Sequence, residues 1–148
     1  MNNSLREVTF SQLSDIEYNI YLVNSSVKDY LDIMIIQFTG HYGFGSKGNP
    51  DAVFMVAIVN AALSAWKPVA LILDFTNLEY EWGDRMEELF GLTSIPLALI
   101  VGPRSEEGIR TLLLGIDSTE SIDQIGWVFK DFESAKEYIE SEIKKYYL

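Results

Sequence analysis

No cysteine occurs in the chain, so it can supply neither a disulfide framework nor a thiolate nucleophile or metal ligand. Histidine is almost as scarce: His41 stands alone, which excludes a metal site built on imidazoles and leaves only carboxylates, poor at specifying an ion by themselves. Basic residues are few and scattered, 11 against 22 acidic, for a formal charge of −11 and a pI near 4.4. Phosphate backbones and anionic headgroups are recognised by Lys and Arg in patches, so nucleic acid and membrane surfaces are excluded as partners. Long apolar runs are missing too. Val69 to Leu73 and Leu97 to Val101 fall far short of the roughly 20 residues a bilayer requires. Met1 to Ser4 lacks the basic-then-apolar order of a signal peptide, and the expected location is the cytoplasm.

What is present fits one domain spanning residues 1–148. The chain is 48% hydrophobic and 13% aromatic, enough to bury a core without staples. Its acidic field serves solubility and would also steer a basic partner.

The patterning predicts an α/β domain organised around Val69 to Leu73. A strand with no polar alternation must be covered on both faces, the mark of a central parallel strand between helices. Upstream, Ile16 to Val23 and Leu31 to Thr39 read as a hairpin bending near Lys28 and Asp29. Asn49 then reads as the cap of a helix over Pro50 to Trp66, with Asp51 near its positive end. That helix is apolar nearly all round, with Asn60, Ser64, Ala57 and Ala61 as its outer face, and a face so small and weakly polar predicts close packing, including a homodimer through this helix.

Downstream, a helix is expected over Trp82 to Leu89, a strand over Ile95 to Val101, and a short helix opened by Ser105 and running to Leu114. A polar loop (Asp117 to Gln124) and an edge strand (Trp127 to Phe129) follow. Asp131 caps a last helix whose Phe132, Ala135, Ile139, Ile143 and Tyr146 form one stripe towards the sheet, with Lys144 and Lys145 in its final turn. The sum is a single mixed, mostly parallel sheet of about five strands, with an N-terminal hairpin and helices on its faces.

This order, together with IIQFTG (Ile35 to Gly40), LILDFTNLEY (Leu71 to Tyr80), LALIVGP (Leu97 to Pro103) and VFKDFESAKEYI (Val128 to Ile139), resembles the STAS domain, the fold of the anti-sigma-factor antagonists. The likeness covers about residues 16–139. It implies a regulatory scaffold that binds a protein partner at the edge after the central strand. The family's motif is a serine-bearing turn there, phosphorylated by a partner kinase. In this sequence the turn is Glu81, Trp82, Gly83 and Asp84, the acceptor position falls on Gly83 or its neighbour, and no hydroxyl is present. Asp84 could replace the phosphate as a permanent charge, or be an ordinary acid at a helix start.

Two stretches carry candidate chemistry. The loop GHYGFGSKGNP (Gly40 to Pro50) has glycines and Lys47 before a helix, yet fails the phosphate-loop spacing because Gly48, Asn49 and Pro50 follow the lysine. His41, Ser46 and Asp51 within it have the composition of an activated nucleophile, the basis of an alternative reading as a small enzyme. The second stretch is an acidic and aromatic cluster, Glu79, Tyr80, Glu81, Trp82, Asp84, Glu87 and Glu88, opposed only by Arg85. Rings supply contact area and acids supply steering, which suits a basic protein partner. The expectation is therefore a non-enzymatic protein-binding module without cofactor or metal. An acidic immunity or antitoxin-type inhibitor of a basic toxin or nuclease is the competing reading.

Overall fold

The computed structural model describes residues 4–147. Its elements are β1 (Glu17–Asn24), β2 (Asp32–His41), α1 (Asn49–Trp66), β3 (Ala70–Phe75), β4 (Leu78–Glu79), a 3-10 segment (Asp84–Gly91), β5 (Leu97–Val101), α2 (Glu106–Leu114), β6 (Val128–Phe129) and α3 (Phe132–Tyr147). One sheet runs in the order β1-β2-β3-β5-β6, with β4 continuing the ladder beside the end of β2. Among the described residues only β1 and β2 pair antiparallel, and the other pairings are parallel.

The unbroken apolar run of β3 is explained by two cores. Leu71, Leu73 and Phe75 enter one with Met34, Ile36, Met55 and Val59, under α1 and α2. Ala70 and Ile72 enter the other with Ile33, Ile35, Ala98 and Ile100, under Ala135, Ile139 and Ile143 of α3. Successive strand residues point to opposite faces, so a strand covered on both sides has no solvent-facing residue to make polar. Among the described residues, no helix is long and apolar enough to cross a membrane.

Several boundaries differ from expectation. Asn49 is the first residue of α1 and does not cap it: Gly48, already in right-handed helical geometry, precedes it after a 3-10 turn, so the chain never takes the extended conformation a capping side chain needs. Asp51 makes the tie instead. Its carboxylate accepts the Gly43 N–H at 2.8 Å and the Ser14 hydroxyl at 2.5 Å, binding the glycine loop and the N-terminal segment to the helix start. Ser105 precedes α2 without capping it. Its buried hydroxyl accepts the Gly102 N–H at 3.0 Å and donates to the Phe75 carbonyl at 3.1 Å, joining the exits of β3 and β5.

The helix expected from Trp82 is a 3-10 segment that begins at Asp84. Met86 and Leu89 are the residues it buries, following the buried Gly83 just before it, and a spacing of three is compatible with three residues per turn. On α3, Ala135, Ile139 and Ile143 form the buried stripe. Phe132 and Tyr146, at its two ends, overshoot the sheet and stay exposed. Of the outer face expected on α1, Asn60, Ala61 and Ser64 are exposed and Ala57 is half-buried.

Candidate functional site

The carboxyl ends of β2, β3 and β4 converge with the start of α2, where parallel sheets place their ligands. Along β4 and its exit the side chains alternate. Leu78 and Tyr80 are buried, Glu79 is half-buried and Glu81 is exposed. Glu79 Oε2 lies 3.6 Å from His41 Nδ1 and 3.7 Å from the Arg104 guanidinium, which holds it against the rim.

Tyr80 is corrected from contact residue to support. It is 1% exposed, its hydroxyl donates to the Gly83 carbonyl at 2.8 Å, and its ring meets Tyr42 edge-on at 5.2 Å. An aromatic between two acids looks like surface, but the strand's two-residue period turns it inward. Burial pushes the Tyr42 phenol up to about 12, with Asp51 adding to the effect, and burial likewise raises Tyr80, with Tyr42 the next contributor. Both stay protonated, and while Tyr80 donates to Gly83, the buried Tyr42 hydroxyl has no hydrogen-bond partner among the described residues.

Above these two phenols the turn is fixed by Gly83, whose φ of +145° is open only to glycine in practice. A Cβ there would also come within 3.0 Å of the Tyr42 ring. Of the positions onto which the resemblance maps a phosphoacceptor, Gly83 or its neighbour, Gly83 is therefore closed to a serine in this conformation.

Trp82 is 60% exposed and yet seated. Its ring lies across Gly45, and its carbonyl accepts the Gly45 N–H at 3.2 Å. On one side it borders a cleft of about 460 Å³ with Glu79, Glu81, Arg104 and Glu107; on the other, one of about 280 Å³ with Asp84, Thr111 and Ile116. Glu107, Thr111 and Ile116 were not among the sequence candidates. The available signal was Gly108, a helix-interior glycine, which marks close backbone approach: a Cβ on it would sit 2.4 Å from the Tyr80 carbonyl.

Of the remaining candidates, Asp84 and Glu87 are exposed, and Glu88 pairs with Arg85 at 2.8 Å. The hydrogen bond from Arg85 holds the Glu88 carboxyl below its ordinary value. Glu87 and Glu88 line neither cleft, so the structure brings Glu79, Glu81, Trp82 and Asp84 together with α2 and sets these two apart along the 3-10 segment.

The Gly40 to Pro50 loop does not assemble its nucleophile. Asp51 is committed to Gly43 and Ser14, His41 faces Glu79 and Phe44, and no hydrogen bond among the described residues joins Ser46 to either. The loop's close turns instead make room for Tyr42 and Trp82. No group of three or more histidine or acidic side chains among the described residues is placed to hold a metal ion.

No protein-family model matches the chain, and no curated protein sequence matches it. Among solved structures it is similar to the crystal structure of an anti-sigma factor antagonist from Mycobacterium paratuberculosis. The TM-score is 0.52 at 12% identity, and the match covers 83% of this chain and 94% of that one. At this identity the likeness is one of fold: the mixed sheet with its leading hairpin is the STAS architecture implied by the sequence patterns.

Proposed function

We propose that this chain is a cytoplasmic, STAS-like regulatory module that acts by binding another protein and carries no catalysis of its own. The observation that carries the reading is Trp82, a large ring left in solvent while its backbone and one face are held by Gly45. A rigid, exposed aromatic is a favoured anchor of protein interfaces, since little side-chain freedom is lost when it is covered. Around it Glu81 and Asp84, which have no ion-pair partner among the described residues, set the chemistry of the partner, a surface carrying Lys or Arg, while Glu79 is held by Arg104 and Glu107 by Arg110 at 2.6 Å. The structural likeness to a protein described as an antagonist of another protein supports the same class of role.

The net charge of −11 keeps a second reading in view, an inhibitor that masks a basic toxin or nuclease at this face. Capture from lysate of the source cell, compared between the native chain and Trp82→Ala with Glu81→Lys, tests both. The expected result is a partner lost with the double variant, from a complex that weakens as salt rises, while the melting temperature is nearly unchanged. A kinase or sensor as partner supports the regulatory reading, and a basic toxin the inhibitor. Equal recovery by the double variant, or collapse of its fold, would remove Trp82 as a docking residue.

A further inference from the structure

The sheet ends on β1, an eight-residue strand that pairs with β2 along one side and, among the described residues, with no strand along the other. Natural edge strands are blunted by lysine, proline, bulges or brevity. The opposite edge, β6, is two residues long. By contrast β1, EYNIYLVN, has no proline, lysine or glycine, and its register with β2 runs without a bulge from Glu17↔Thr39 to Asn24↔Asp32. Its one charge is at its first residue. Tyr18, Tyr21 and Leu22 are 43%, 51% and 39% exposed.

The hairpin fixes which backbone groups point outward. Ser25 N–H donates to the Leu31 carbonyl, which makes Ser25 and Leu31 a hydrogen-bonded pair, and such pairs recur at every second residue along an antiparallel ladder. Val23, Tyr21, Asn19 and Glu17 therefore bond β2. The N–H and C=O groups of Tyr18, Ile20, Leu22 and Asn24 face away from the sheet.

We infer that this edge pairs antiparallel with β1 of a second copy, making one continuous sheet across a two-fold axis. The outward residues meet in a self-complementary register, Tyr18 opposite Asn24 and Ile20 opposite Leu22, in which each pair exchanges both backbone bonds. Tyr21 then meets its own copy on the axis, at a position where side chains approach closely and aromatic pairs are favourable. Glu17 falls opposite Ser25, so no like charges are set against each other. A copy of this strand suits the edge better than a charged foreign segment, because the outward pairs are apolar or uncharged. The −11 charge of each copy acts against association at long range and leaves the local pairing intact.

Sedimentation velocity on the full chain, across a concentration series at about 0.01 M and about 1 M salt, where the Debye length is about 30 Å and about 3 Å, reads this directly. A dimer that grows with concentration and with salt is expected, opposite in salt dependence to the partner complex proposed above, so the two proposals fail separately. Leu22→Pro deletes an outward N–H without touching the β2 ladder, and Leu22→Lys plants a charge on the axis-proximal edge. Each should abolish the dimer. Amide exchange on the native chain decides the matter even if the proline variant misfolds. Ile20 and Leu22 should gain at least tenfold protection with concentration while Tyr21 and Val23 do not change. Monomers under all conditions, uniform protection of both sets, or a dimer lost with Ala61→Arg on α1 but kept with Leu22→Lys would overturn the inference.

Discussion

Trp82 and Gly45 form one unit: a methyl group added at residue 45 would come 2.3 Å from Cη2 of the indole, and the backbone N–H of the glycine closes on the tryptophan carbonyl. The seat exists because residue 45 has no side chain and a φ of +55°. Gly45→Ala should therefore tilt the ring out of its seat and weaken partner binding at least tenfold. The left-handed backbone adds a cost of about 1–2 kcal/mol. Calorimetric melting and tryptophan emission, with Trp66 and Trp127 replaced by phenylalanine, check both parts.

Gly83→Ser would return a hydroxyl to the turn onto which the resemblance places a phosphoacceptor. With φ at +145° and the Tyr42 ring 3.0 Å from a Cβ, the change should cost about 1–3 kcal/mol. Chemical denaturation measures it, and an unchanged midpoint would show that the turn relaxes without cost.

Ser105→Ala removes the one hydroxyl that satisfies both Gly102 N–H and the Phe75 carbonyl. Leaving these buried backbone groups unpaired should cost about 1–3 kcal/mol, measured by urea titration. Ser105→Thr, which keeps the hydroxyl, should cost less if the extra methyl is accommodated.

Leu73→Ala opens a cavity in the fully buried central strand and should cost about 2–5 kcal/mol. A loss below 1 kcal/mol in the same titration would mean that the core under α1 collapses around the gap.

Glu140 links α3 to the hairpin bend by accepting the Ser26 N–H at 2.7 Å and the Ser26 hydroxyl. Burial alone would raise its carboxyl, but the hydrogen bonds from Ser26 and Ser25 outweigh it and leave the group below its ordinary value. A carboxyl depressed in the folded state stabilises above its unfolded value, about 4.3, and that contribution is lost as pH falls through the folded value. Melting temperature should thus decline below about pH 4.3, and Glu140→Gln should flatten part of that decline.

The architecture was legible wherever a signal was local and repeated. β3 and β5 announce themselves because both faces are covered, α1 because a long apolar stretch opens on Asn49, Pro50 and Asp51, and α3 because its apolar residues recur at helical spacing. β4 was not legible: two residues set no period, and its partners Gly40 and His41 lie far back in the chain. Met86 and Leu89 are three apart, a spacing that fits 3-10 geometry but that an α-helix also brings to one face, so two buried residues could not reveal the helix type. For the site, Glu81, Trp82 and Asp84 could be read because they are neighbours in sequence. Tyr80 was misplaced although Leu78-Glu79-Tyr80-Glu81 already alternates in and out. The Trp82 seat and the α2 wall join segments that no local pattern connects.

Gly45 belongs to the loop before α1 and Trp82 to the turn after β4, so β3 must be laid down between them before the indole has anywhere to rest. An unfolded chain cannot display this face at all. Whatever engages it acts as a folding ligand as well, adding about 2.7 kcal/mol of stability at a hundredfold excess over Kd. A chain of marginal stability would accordingly be longest-lived in the cell while its partner is bound, and its abundance would follow that of the partner.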